Sequence, residues 1–210
     1  MKEAILFDLD GTLWDSSIQI LESWNEVIRK LEDVTYELTV EQIQKNMGKP
    51  MDEIAYNIFP HVTKQRALEI MNLCTDYENV YLSRHGGNVY AGVENVLASL
   101  AKKYTLAIVS NCQKGYIEAF LEYHKLGQYI DDTEDFGRTG LPKGENIKLV
   151  LERNHIERAW YLGDTKGDAE AAHFAGIPFI YAEYGFGSVQ NFEAKIQSID
   201  ELEECISLLK

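Results

Sequence analysis

Two aspartates one residue apart, Asp8 and Asp10, end the apolar run Ile5-Leu6-Phe7 and lead into Gly11-Thr12. Side chains alternate faces along a strand, so Asp8 and Asp10 point one way and Leu9 the other. The carboxyl end of a buried strand is where open α/β sheets hold their ligands. Paired charges there are costly without a compensating cation, so the pair points to chemistry rather than packing. Other polar groups lie where later strands should end. Ser110-Asn111 offers a hydroxyl and an amide after an apolar run. Lys143 follows Gly140-Leu141-Pro142 and opens a helical pattern. Gly163-Asp164-Thr165-Lys166-Gly167-Asp168 places two carboxylates four residues apart at a strand-to-helix turn.

The elements that must position these groups read as follows. Short apolar runs at 4–7, 105–110, 159–162 and 178–182 have the form of buried parallel strands. Helical patterns occupy 93–103, 115–124, 145–153, 168–174 and 199–209. Strands alternating with helices predict an α/β fold, a doubly wound parallel sheet of Rossmann-like type covered on both faces. Residues 16–86 differ. Ile18, Ile20, Leu21, Trp24, Val27, Ile28 and Leu31 recur at helical spacing. Further helices start near Thr39 and after Pro50, and a long one runs over 63–84 behind a Thr63 cap. This segment is expected to be an all-helical cap domain (16–86) inserted into a catalytic core (1–15 and 87–210). Asp15-Ser16 and Gly86-Gly87 are the expected hinges.

Composition narrows the function classes. At 210 residues the chain has room for one domain with an insert, and 45% hydrophobic residues suit a globular protein. A net charge of −14 disfavours nucleic acid and anionic membrane as partners. Cys74, Cys112 and Cys205 are far apart and form neither a zinc pattern nor a disulfide framework. No signal peptide and no membrane-spanning run is legible, so the expectation is a cytoplasmic protein, monomer or homodimer.

Asp8-Leu9-Asp10-Gly11-Thr12-Leu13, Ser110-Asn111, Lys143 and Gly163-Asp164-x-x-x-Asp168 together resemble the four ordered motifs of the haloacid dehalogenase superfamily. More narrowly, they resemble its phosphoglycolate phosphatase-like branch with a helical cap. The resemblance implies a Mg²⁺-dependent phosphatase acting on a small phosphorylated metabolite. Asp8 would be the nucleophile, forming an aspartyl phosphate. Asp10 would protonate the leaving oxygen and then activate water. Mg²⁺ would be held by the Asp8 carboxylate, the Asp10 backbone carbonyl and Asp164, with Asp168 touching the ion or one of its ligands. Gly11, Thr12 (through backbone N–H groups nearby), Ser110, Asn111 and Lys143 would hold phosphate. Lys148 and Lys166 stand near Lys143 as alternatives. The carboxylates of Asp8, Asp164 and Asp168 are balanced by Mg²⁺ and Lys143 if Asp10 stays protonated.

Lys49, in Gly48-Lys49-Pro50 between two cap helices, could meet a second anionic group of the substrate or could be a solvated loop lysine. Trp24, Tyr56 and Phe59 read as cap core, and His85 as a surface residue beside the hinge. Two rival readings remain: a phosphomutase resembling β-phosphoglucomutase, and a phosphate-ligand binding protein without turnover.

Overall fold

The computed structural model describes residues 2–210. Six parallel strands form the sheet: β1 (Glu3–Phe7), β4 (Thr105–Ser110), β5 (Asp132–Asp135), β6 (Arg158–Gly163), β7 (Phe179–Ala182) and β8 (Ala194–Ile196), in the spatial order β5-β4-β1-β6-β7-β8. Counting these strands in chain order gives 3-2-1-4-5-6, the doubly wound arrangement. The order reverses between β1 and β6, and this switch point is where both aspartate motifs emerge.

Alternation along β1 builds two apolar layers. Ile5 and Phe7 face Leu106, Ile108, Trp160 and Leu162, whereas Ala4 and Leu6 face Ala107, Val109, Tyr161 and Phe179. Parallel register sets Phe7 beside Ile108 on one side and Leu162 on the other. One residue further, Asp8 N–H donates to Leu162 O at 2.8 Å. The backbone at the start of the first motif is thus fixed by the neighbouring strand. Helices α5 (Val93–Leu100), α6 (Tyr116–His124), α8 (Lys143–Arg153), α9 (Lys166–Ala175) and α10 (Leu202–Leu208), with the short α7 (Phe136–Thr139), belong to the core.

The cap consists of α1 (Ser17–Ile28), α2 (Val40–Gln44), α3 (Met51–Ile58) and α4 (Lys64–His85). Thr63 caps α4 by accepting from Arg66 N–H, and Thr39 caps α2 in a reciprocal pair with Gln42. A two-stranded antiparallel ribbon, β2 (Trp14–Asp15) with β3 (Asn88–Val89), ties the two crossings between cap and core together. At the second crossing Gly86 has φ 65°, where a side chain would be strained and would overlap the Tyr123 ring.

Several elements depart from the sequence expectation. Strands β5 and β8 were not anticipated, nor was the β2–β3 ribbon. Helix α8 begins at Lys143 rather than 145, and α9 at Lys166 rather than 168. The last helical segment is a 3-10 turn, Ile199–Glu201, followed by α10.

Candidate active site

Four side chains from three parts of the chain converge beyond β1. Lys143 is the first residue of α8, directly after Pro142, whose fixed φ suits a helix start. Its ammonium donates to Asp8 Oδ1 at 2.8 Å and to Asp168 Oδ1 at 2.5 Å, with all three groups buried. Asp168 is the third residue of α9. Its Oδ2 accepts from Thr165 N–H at 2.9 Å and Thr165 Oγ1 at 2.7 Å, while Thr165 Oγ1 accepts from Asp168 N–H. One carboxylate thus closes the helix cap with one oxygen and orients the lysine with the other. Asp164 closes the cluster: it, Asp8 and Asp168 each bring a carboxylate oxygen within 4.8 Å of the others. Asp164 Oδ2 accepts from the N–H groups of Phe186 at 2.7 Å and Gly187 at 3.2 Å.

Asp10 turns away from this cluster. Its Oδ1 accepts from Ser16 Oγ at 2.6 Å and Tyr116 OH at 2.8 Å. Gly11 and Thr12 differ from expectation. Their N–H groups donate within the turn, Gly11 to Trp14 O and Thr12 to Leu9 O, so these two N–H groups are engaged, whereas Thr12 Oγ1 is buried with no hydrogen-bond partner among the described residues. The N–H groups of Leu9 and Asp10 have no hydrogen-bond acceptor among the described residues. Gly11 instead has φ 79° and lies where any Cβ would overlap the Asp164 carboxylate. Ser110 lines a cavity with Asp8 and Asp10. Asn111 Nδ2 donates across to Gly48 O of the cap at 3.0 Å. Lys49 also lines the cavity, paired with Glu53 at 3.2 Å. Lys148 lies over the Phe174 ring and Lys166 pairs with Glu170, so Lys143 is the lysine in the cluster. His85 stacks on Tyr81, and Phe59 is cap core.

The family model for haloacid dehalogenase-like hydrolases matches residues 5–182. The chain belongs to this family. A phosphoglycolate phosphatase of Mesorhizobium japonicum is 28% identical over 221 aligned residues, covering 96% of this chain and 93% of the relative. A predicted phosphatase from Clostridium acetobutylicum is 26% identical in its crystal structure, with a TM-score of 0.79 over 100% of this chain and 99% of that one. A haloacid dehalogenase-like hydrolase from Streptococcus pneumoniae, 21% identical, shares the fold with a TM-score of 0.84 over 100% and 99% of the chains. This hydrolase is accordingly a phosphatase of the phosphoglycolate phosphatase-like branch.

Burial sets the electrostatics of the hydrolase. Desolvation lifts the Asp8 carboxyl to about 7, with the Asp168 charge adding and Lys143 opposing. Desolvation lifts Asp10 to about 6 against the hydrogen bonds from Ser16 and Tyr116. Asp164 is pushed well above the usual carboxylate range, first by burial and then by Asp168 and Asp8. Burial works against the Lys143 charge, but Asp168 and Asp8 outweigh it and keep the ammonium protonated.

A divalent cation fits this donor set. Asp164 Oδ1 is buried with no hydrogen-bond partner among the described residues, an expensive arrangement unless something binds there. The donors are hard oxygens, the kind that suit Mg²⁺. Both Asp168 oxygens are already engaged, which leaves Asp8 and Asp164 as the better-placed ligands.

Several site residues were not anticipated. Ser16 and Tyr116 hold Asp10, and nothing local in the sequence marks Tyr116. The Tyr184–Gly187 loop clasps Asp164, and Tyr184 OH donates to Thr12 O at 2.9 Å. Glu78 is buried in α4 and lines the cavity. It had a legible signal, because it sits on the stripe Ala67, Ile70, Met71, Cys74, Thr75, Leu82 that α4 buries.

Proposed function

We propose that this hydrolase releases phosphate from a small phosphomonoester by way of a phosphoryl group carried on Asp8. The observation that carries the reading is the opposite settings of Asp8 and Asp10. Asp8 is bonded to a buried ammonium, whereas Asp10 is held by two hydroxyls in a separate niche. Attack on phosphorus needs an ionised Asp8, and departure of the alcohol needs a proton from Asp10. Lys143 screens the charge of the nucleophile from the incoming dianion. The N–H groups of Leu9 and Asp10, which have no acceptor among the described residues, and Ser110 Oγ, which lines the cavity, would donate to phosphate oxygens. Once the alcohol has left, the ionised Asp10 accepts a proton from water attacking the phosphoryl group. The Ser16 and Tyr116 hydroxyls stabilise that ionised form.

Mg²⁺ would be held by Asp8, Asp164 and the Asp10 carbonyl, where it would supply positive charge against the phosphate and the carboxylates. Burial raises both Asp8 and Asp10 above the usual carboxylate range, and a dication beside Asp8 would favour the ionised form that attack on phosphorus needs. The cap packs over this site through Asn111 and Gly48, and it is proposed to open and close about the 86–87 crossing, excluding bulk water when closed.

The test is phosphate release from a panel including phosphoglycolate, pyrophosphate, sugar phosphates and nucleotides, with Mg²⁺ and with EDTA. Release that requires Mg²⁺ and vanishes in Asp8→Asn supports the reading. Undiminished turnover in Asp8→Asn overturns it.

A further inference from the structure

The cavity between cap and core contains polar groups that the hydrolytic machinery leaves unused. Its volume is about 40 Å³, room for a few waters. One end is formed by Asp8, Asp10 and Ser110. The walls are Ile20, Trp24, Ile43, Met51, Ile54 and Ile58. Into this apolar space α4 places Glu78, only 1% exposed.

Glu78 is hydrogen-bonded but not charge-compensated. Trp24 Nε1 donates to Oε2, and Gln113 Nε2 donates to Oε1 at 3.0 Å. No lysine, arginine or histidine pairs with it among the described residues. A buried carboxylate held only by neutral donors is a net cost to folding. Burial raises it to about 8 for that reason.

Gln113 adds a second unmet acceptor. Its Nε2 is shared between Glu78 and Asn79 Oδ1, the latter at 3.1 Å, and Asn79 is itself oriented by donating to Lys114 O. The amide orientation is thereby fixed, and Oε1 lies buried with no hydrogen-bond partner among the described residues. The Trp24 and Gln113 N–H donors beside Glu78 are thus engaged, and the Gln113 acceptor remains unmet.

We propose that Glu78 and Gln113 recognise the alcohol half of the substrate and select a compact leaving group bearing a hydrogen-bond donor, a hydroxyl or an ammonium. This rests on the phosphatase reading above. A leaving group ending in a carboxylate brings only acceptors to the unmet Gln113 Oε1 and carries a further charge into an apolar space that already ends on Asp8 and Asp10. Lys49 does not offset this, because it is already paired with Glu53 and is 33% exposed at the cavity edge. A bare alkyl leaving group fills the walls but satisfies neither polar side chain.

Binding separates this inference from the catalytic reading. Affinities for Asp8→Asn with Mg²⁺ are measured by calorimetry for glycerol phosphate, phosphoethanolamine, phosphoglycolate and propyl phosphate. Turnover of the same four compounds is measured with the unaltered enzyme. Glycerol phosphate or phosphoethanolamine should bind at least about tenfold more tightly than the other two, the scale of a buried hydrogen bond to an acid. Adding Glu78→Leu should erase that preference. Adding Glu78→Gln, which keeps an acceptor but not the acid, should retain the glycerol phosphate preference and lose that for phosphoethanolamine. Phosphoglycolate binding as tightly as the donor-bearing compounds, or a preference unchanged in both Glu78 variants, overturns the inference. Selective binding with no turnover of any compound leaves the subsite standing and removes the phosphatase reading. Turnover without selectivity does the converse.

Discussion

Asp10 is separated from Asp8 by one residue in the chain and by its whole chemical setting in the fold. Strand alternation makes the shared direction of the pair legible, but the Ser16 and Tyr116 hydroxyls that distinguish Asp10 are not. Tyr116 reaches it from 106 residues away, and no local pattern encodes a partner so distant. Replacing Asp10 by Asn keeps the shape of the niche and its hydroxyl contacts but removes the proton that the leaving alcohol needs. Asp10→Asn should lower kcat about 10²- to 10⁴-fold while leaving Mg²⁺ affinity, read by calorimetry, near that of the unaltered enzyme. In the first turnover, a loss of alcohol release confined to leaving groups of high pKa, with activated aryl phosphates largely spared, identifies the missing function as proton donation. Later turnovers should slow for both classes, because hydrolysis of the phosphoryl group also uses Asp10. Equal loss in the first turnover argues against proton donation. Gly11 is legible in the motif for another reason than the one it holds in the fold. Its N–H belongs to the turn, and its missing Cβ makes room for Asp164. Gly11→Ala should therefore weaken Mg²⁺ binding at least about tenfold, in keeping with loss of an oriented ligand. Unchanged metal affinity would count against that account.

At the scale of elements, the central strands were legible because burial on both faces leaves continuous apolar runs in the sequence. The two missed strands are the edges of the sheet. Asp132–Asp135 is an acidic tetrapeptide and Ala194–Ile196 spans only three residues, the short and charged form that edge strands take to discourage pairing with other chains. The Thr63 cap was legible from residue type alone. Thr63→Ala should cost about 1 kcal/mol of stability, measured by denaturant unfolding, with turnover unaffected because α4 is held at its other end by core contacts. The seat of the cap on the core was illegible, since it depends on two loops meeting. Asn111 ends the strand side and Gly48 the cap side, joined by one hydrogen bond at 3.0 Å. Asn111→Ala should raise KM about three- to tenfold, the range of a neutral hydrogen bond. Binding of Mg²⁺ alone should be unchanged. An unaltered KM would mean that this contact does not favour the closed cap.

At the scale of the whole molecule, Asp8, Asp10, Asp164 and Glu78 are all displaced in the same direction, because each is buried with less positive charge than it needs. Asp8 lies at about 7, Asp10 at about 6 and Glu78 at about 8, against 3.8 for a free aspartate and 4.5 for a free glutamate. Between the free and folded values the folded chain holds protons that the unfolded chain has released. Stability therefore falls as pH rises through that interval. The favourable contribution is complete below about pH 4, and is lost by about pH 8. In EDTA the melting temperature should drop by more than about 5 °C between pH 5 and pH 8, the opposite of a protein whose acids are paired by lysines and arginines. Mg²⁺ binds the ionised carboxylates of Asp8 and Asp164, so the stabilisation it gives should be small at pH 5 and should grow towards pH 8. Glu78 stands apart from those ligands. Glu78→Gln should flatten the EDTA curve without changing the increment that Mg²⁺ adds at pH 8. Thermal melts of both proteins across this range, with and without Mg²⁺, resolve the two contributions. A metal-free melting temperature that stays level or rises with pH would show that the buried acids are compensated within the fold, and the physical case for a bound cation would fall with it.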